Sequence, residues 1–542
     1  MKITLSFILF VSLFLTTLCA NAQLTINIGA SFTIQSGAVV AVQGDVAGSS
    51  DVSGAGSLSL KGSAIQNINM NGFAVPNLIM DNVANANVTG NIKINNGVTF
   101  TNGKLILANN TVTLAATETN NNMATGKFFE TNGTGVVKKE LTGDISNYTV
   151  PVGLGTDYMP VAITNTGSTY NAASIGVQAK AVPSTFKHPR TESYLLTTWP
   201  ITKTGITGGT TNAVATYIDL TKVIGTKADL KGFFWDGINW SLTGGNQNTT
   251  SNTIAADITT NSGELYGMNK FVLLNTKIFL QAAYNPLTPG LMDDKLRTTV
   301  AYVAGNAPTG NLLPSTDPYR TVTYLTNFVH VANPVPEAIT TLSVFNDQIS
   351  PNKNVVDWVF LELRSNAAIP TTVLQTRSGL LLRDGTVVDV DGVSPIYFKN
   401  SDPANSLNLY VSVRHRNHIG LRSAALQTLD VTSTSSILNL TLNTNTLSGF
   451  GANLGAGNFG LYAGNINLNS NVRLSGASAS LSDFEQLKAL LGTSLILSNT
   501  YSAGDANMNR TVRISGASTT LSDFEYLKSI LGTSLIITQP TY

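Results

Sequence analysis

At 542 residues the chain is longer than one hydrophobic core usually organises, so several domains are expected. Charged residues make up only 12%, and 32 Lys plus Arg stand against 31 Asp plus Glu, so no net field draws the chain to nucleic acid or to an anionic membrane. Asn, Thr, Ser and Gly supply the polar surface instead, which favours strands and turns over helices.

The first residues have the layout of a secretory signal: Lys2, an apolar run over residues 3–15, and Ala20-Asn21-Ala22 ahead of Gln23. Cleavage there makes residues 1–22 a signal peptide. It also removes Cys19, the one cysteine, so the mature chain carries no thiol, disulfide or thiolate metal site. The apolar run falls short of the roughly 20 residues a membrane span needs, and no later stretch reaches that length. No transmembrane segment is therefore expected, and the mature chain is placed outside the cell or on its outer surface.

Residues 23–122 alternate apolar and polar side chains in short strands: Ile26 and Ile28, Phe32 and Ile34, Leu58 and Leu60, Ile92 and Ile94, Leu105 and Leu107, Val112 and Leu114. Turn signals such as Asn95-Asn96-Gly97 and Thr101-Asn102-Gly103 separate them at a spacing of about ten residues, the rhythm of a coil that stacks on itself. A β-solenoid is expected. The phrasing around Ile92, Ile94, Phe100 and Leu105 resembles the stalk repeats of haemagglutinin-like surface proteins from Bacteroidetes.

Residues 123–271 have longer strands and large aromatic side chains, Trp199, Trp235 and Trp240 among them, which point to a β-sandwich. The tryptophans are either its core or a stacking platform for a glycan. A second sandwich is expected over residues 272–431, bounded by alternating strands near Ile278 and Val411 and containing Asp357-Trp358 and a loop with Asp384, Asp389 and Asp391. This block resembles a domain recurrent in secreted Bacteroidetes proteins, where it lies immediately ahead of a dockerin-like tail. Residues 432–455, rich in Ser, Thr, Asn and Gly, are taken as a linker, with edge strands of the preceding sandwich as the alternative.

Residues 456–542 hold an internal repeat with a spacing of 40 residues, in which about 22 of 34 paired positions from Gly464 and Gly504 are identical. Ser482 with Glu485, and Ser522 with Glu525, form capping boxes that start a helix in each copy, and Gly492 and Gly532 end them. Phe484, Leu487, Leu490 and Leu491 share one helical face, as do Phe524, Leu527, Ile530 and Leu531, so the two helices can pack together.

Ahead of each helix, oxygen-bearing side chains stand at alternate positions: Asn465, Asn467 and Asn469 in the first copy, Asp505, Asn507 and Asn509 in the second. Calcium takes six to eight oxygen ligands, and a loop of the EF-hand type supplies them at positions 1, 3 and 5, then from a main-chain carbonyl, then from an acid at the helix start. The tail resembles the dockerin module, two such loop-helix units. That resemblance implies Asp505, Asn507 and Asn509 as ligands, the carbonyl of Thr511, and a docking partner protein. Two departures stand out. Position 6, usually Gly, is Ser470 and Arg510, and position 12 is Gly476 and Gly516, so Asp483 and Asp523 must serve as the acids by reaching back from the helices. With fewer charges, the first loop is expected to bind more weakly. The alternative is that both loops are Asx turns held by their own side chains without metal.

No catalytic constellation emerges. His415 and His418, read as one strand, point to opposite faces, and Asp384-Gly385 and Asp391-Gly392 are ordinary turn dipeptides. The fold class expected is mainly β: a β-solenoid stalk followed by β-sandwich domains, with a small α-helical, dockerin-like C-terminal module. The function expected is that of a secreted or cell-surface, non-enzymatic adhesin or structural binding protein with a calcium-binding docking module. The alternative is a non-catalytic or carbohydrate-binding subunit of an extracellular polysaccharide-processing assembly, with a glycan as ligand.

Overall fold

The computed structural model describes residues 22–244, 246–298, 310–346, 350–365, 371–432 and 437–541; residues 1–21, with most of the expected signal peptide and Cys19, lie outside the described residues. The chain is mainly β and divides into two compact units. The first holds the chain up to Thr185 together with Ser193–Gly237 and Thr243–Gly267. The second holds Phe186–Glu192, Ile238–Leu242 and Met268–Tyr542.

The first unit opens as a β-solenoid. Leu24–Ile26 lies parallel to Val46–Gly48, and the same parallel stacking continues through Gln66–Asn69, Ala86–Gly90, Leu105–Ile106, Phe129–Glu130 and Val152–Leu154, at about 20 residues per turn of the coil. A second parallel sheet stacks Val39–Val42, Ser57–Leu60, Ala74–Asp81, Ile92–Asn102, Thr111–Leu114 and Val136–Leu141. The alternation seen in the sequence turns every second side chain inward, and Leu58, Leu60, Val75, Leu78, Ile94, Phe100 and Leu114 have no exposed surface. Two details differ from the sequence reading. Ile28 is 86% exposed, because the strand ends at Ile26. Asn95-Asn96-Gly97 is a bulge within the strand Ile92–Asn102, where the register shifts between Ile94 and Gly97; the extra residue is absorbed locally and the strand runs on.

At Val136–Leu141 the sheet changes character. That strand is parallel to Thr111–Leu114 on one side and antiparallel to Thr169–Val177 on the other, so solenoid and antiparallel layers share one sheet. Inside this junction lie Glu118 and Lys139. The Lys139 ammonium donates to the carbonyls of Ala115 at 2.7 Å and Glu118 at 2.9 Å, and lies 3.6 Å from the Glu118 carboxylate, which also accepts from Tyr148.

The main sheet of the second unit runs His418–Arg422, Leu407–His415, Val355–Arg364, Val373–Leu382, Thr386–Val388, Thr276–Lys277, Leu438–Asn439. The last of these pairs in parallel with Thr276–Lys277, and Ala452–Gly455 forms a hairpin with Asn458–Gly460. Of the expected linker, Leu438–Asn439 is therefore an edge strand of the sheet and Ala452–Gly455 belongs to a separate hairpin, while residues 433–436 lie outside the described residues. None of the four tryptophans is exposed: Trp199, Trp240 and Trp358 are buried and Trp235 is half-buried, so they form no open stacking platform. Among the described residues no helix is long and apolar enough to cross a membrane.

Candidate calcium loops in the tail

The tail folds as two copies of one unit, and it shares a single apolar core with the sheet of the second unit. Leu487, Leu491, Ala506, Met508, Leu527 and Leu531 join Trp358, Phe360 and Leu361 in that core. The helices are Asp483–Leu491 and Asp523–Leu531. Ser482 and Ser522 cap them by accepting from the main-chain N–H groups of Glu485 and Glu525, and Gly492 and Gly532 end them at positive φ. The rings of Phe484 and Phe524 meet at 4.4 Å. Each loop also contributes a short strand: Asn471–Val472 pairs with Ile537–Thr538, and Thr511–Arg513 with Ile496–Ser498, so each copy is closed by the segment that follows the other copy's helix.

In each loop the carboxyl and amide oxygens named from the sequence accept main-chain N–H bonds of that loop, except Asn465, whose Oδ1 has no hydrogen-bond partner. Asp483 reaches back from its helix and accepts main-chain N–H bonds from Ile466 at 2.7 Å, Asn467 at 3.2 Å and Arg473 at 2.8 Å. Asp523 repeats this with Ala506 at 2.7 Å, Asn507 at 3.4 Å and Arg513 at 2.8 Å. The residues between loop and helix therefore bulge outward and deliver the acid to the loop. Asp505 accepts from the N–H groups of Asn509 and Arg510, both at 2.8 Å.

The amides are oriented by their outer bonds. Asn467 and Asn507 donate Nδ2 to the carbonyls of Ala479 and Thr519, and Asn469 and Asn509 donate theirs to Ser480 and Thr520, which turns each Oδ1 toward the loop's own N–H groups. Thr511 donates its N–H to Asn509 at 2.9 Å. Position 6 takes the left-handed backbone although it is not glycine: φ is 66° at Ser470 and 77° at Arg510. Arg510 has a compensating role, since its guanidinium donates to the carbonyls of Lys295 at 2.8 Å and of Gly310.

These loops supply oxygen donors of the kind calcium selects. In the first, Asn465 Oδ1 and Asn471 Oδ1 are buried without a hydrogen-bond partner, an unmet demand that a cation would satisfy. In the second, burial and then the charge of Asp505 push the Asp523 carboxyl up to about 8, against the lowering by its N–H bonds. Burial likewise pushes Asp505 to about 6 and Asp483 to about 7. Oδ2 of Asp483 and of Asp523, and both oxygens of Asp505, each accept one N–H bond and keep a lone pair, and a cation would offset both the burial and the repulsion. Among the described residues no group of three or more His, Asp or Glu side chains converges as a metal cluster, so amide and main-chain oxygens would have to complete the shell.

One arrangement escaped the sequence. His415 and His418 are not on one strand: Arg416 and Asn417 form a tight turn that sets the two histidines opposite each other, with Nδ1 atoms 3.0 Å apart. Their partners assign the protons. His415 donates from Nε2 to Asp357 at 3.0 Å, His418 accepts at Nε2 from Ala282 N–H at 3.3 Å, and His418 Nδ1 is left to donate. Arg416, fully buried, donates to Asp357 at 3.0 Å and to the carbonyl of Ser502, and packs 4.4 Å from the Tyr501 ring. Tyr501 closes the network with a 2.6 Å bond to Asp357. The available signal was an aspartate inside the apolar strand Val355–Arg364, which demands a buried partner.

The loop with Asp384, Asp389 and Asp391 is a set of turns. Asp384 accepts from Thr386 N–H and pairs with Lys353, Asp389 pairs with Arg190 at 2.6 Å, and Asp391 caps Val393 and Ser394. Compared with protein-family models, curated proteins and solved structures, the chain matches none.

Proposed function

We propose that the chain is an exported, non-enzymatic surface protein of the binding or scaffolding kind, whose tail takes up calcium and offers a docking face to a protein partner. The observation that supports this is the register of the duplication. The same oxygen-lined loop, capped helix and exposed leucines recur at matched positions, with Leu481 and Leu521 50% and 51% exposed and Leu495 and Leu535 85% and 86% exposed. Leucine left in water twice, in the same place, has the composition of a contact surface. The test is calorimetric titration of the whole chain from Gln23 with calcium after chelation. Heat of binding and a raised unfolding temperature are expected; absence of both removes the metal and with it the module.

A second reading, the glycan-binding subunit, draws on one feature of the second unit. An open cleft of about 1250 Å³ there is walled by Ser315, Thr321, Asn327, Asn467 and Gln486 together with apolar Leu468, Leu490 and Tyr324. Hydroxyl and amide side chains without net charge suit a neutral sugar. Binding to a glycan array that fades in Gln486→Ala favours this reading, and silence across the array ends it.

A further inference from the structure

We infer that the Arg416-Asn417 turn of the second unit's sheet is a positioning element of the second calcium loop, so that ion uptake by the tail and the stability of the sheet are one coupled equilibrium. This rests on the calcium reading above and names its regulation.

The argument is geometric. Asn417 Nδ2 donates at 2.8 Å to the main-chain carbonyl of Asp505, the residue that opens the second loop. The carbonyl of Asn417 accepts at 2.9 Å from the N–H of Gly464, immediately ahead of the first loop. One turn residue thus holds the start of both loops. Arg416 fixes the approach to the second loop through the carbonyl of Ser502, and Arg510, at position 6, is tied to the carbonyls of Lys295 and Gly310. A loop held before its first residue, at its first residue and at its sharp turn has fewer conformations to lose when an ion arrives. Coupling is reciprocal: whatever the turn contributes to ion affinity, the bound ion contributes to the turn. The turn is in turn held by Asp357, which lies inside the sheet.

The experiment uses the whole chain. Calcium affinity by calorimetry, and unfolding temperature in calcium and in chelator, are measured for wild type, Asn417→Ala and Leu429→Ala. Leu429 is buried in the same core and pairs with Leu407, at the far end of the strand that leads to the turn. Asn417→Ala is expected to weaken the tighter site about tenfold and to narrow the gap between the two unfolding temperatures. Leu429→Ala is expected to lower both temperatures together and leave the affinity alone. Unchanged affinity in Asn417→Ala overturns the inference and leaves the calcium reading standing, whereas no uptake by wild type overturns both. If Asn417→Ala does not fold, Asn417→Ser, which shortens the side chain but keeps it polar, carries the same comparison.

Discussion

The carboxylate of Asp357 and the guanidinium of Arg416 lie 3.0 Å apart, and neither side chain has any exposed surface. A charge pair this deep survives only because every group around it is matched: His415, Tyr501 and the N–H of Trp358 complete the carboxylate, and the carbonyl of Ser502 takes a further guanidinium bond. Removing one partner strands the other. Arg416→Met is expected to cost the second unit about 3–5 kcal/mol, read as a shift in the urea midpoint of the whole chain.

The same network sets an acid limit. Burial pushes the Asp357 carboxyl up, but Arg416, then His415 and Tyr501, outweigh it and hold it at about 2. A folded-state value below the unfolded one means the unfolded chain binds this proton more tightly. The stabilisation is full above pH ~4 and is lost as the pH falls toward ~2, a contribution of roughly 2 kcal/mol. Burial also lowers His415 and His418, so their contribution begins to drain below pH ~6.5. The difference in urea midpoint between wild type and Asp357→Asn, which cancels the other titrating groups, should be constant above pH ~4 and shrink as the pH falls toward ~2.

Asp523→Asn separates metal chemistry from architecture. The amide retains one oxygen for the N–H bonds but brings two donors into a site with three N–H groups, and it removes the charge that a cation needs. Calcium affinity of the second loop is expected to fall by more than tenfold. A titration in which this variant binds as wild type does would exclude Asp523 from the ligand set.

The two substitutes for glycine at position 6 should behave differently. Ser470→Gly relieves a left-handed backbone worth about 1–2 kcal/mol and is offset by glycine's extra freedom in the unfolded chain, so stability changes by less than about 1 kcal/mol. Arg510→Gly gives the same relief but loses the bonds to Lys295 and Gly310, and should lower stability by about 2 kcal/mol. Paired thermal melts of the two variants check the contrast.

In the first unit, Lys139→Met leaves Glu118 buried without its cation. The expected cost is about 3–5 kcal/mol, with the loss confined to the transition that reports the solenoid. Melts followed by hydrogen exchange at Val98 and Leu114 locate it.

Much of the architecture was legible in advance because it repeats. Period-2 alternation announced the inward faces of the solenoid, and the capping boxes at Ser482 and Ser522 announced both tail helices within a residue of where they start. Even the reach of Asp483 and Asp523 back to the loops was readable, since position 12 carries glycine in both copies, Gly476 and Gly516. What misled was reading neighbours as one element. His415 and His418 read as one strand, yet the chain reverses between them, and Asn95-Asn96-Gly97 reads as a turn although the ladder carries on past it.

The sequence by itself determined period, capping and the run of oxygen-bearing side chains in the loops, because each is encoded within a few residues of the chain. Only the tertiary structure decided that the tail is built into the second unit. Asp357 meets Arg416 and Tyr501, and Asn417 meets Asp505, across 59 to 144 residues of chain. No local pattern specifies such a meeting; it is selected by the cost of leaving buried charges and main-chain groups unmatched, a cost that exists only once the core has closed around them.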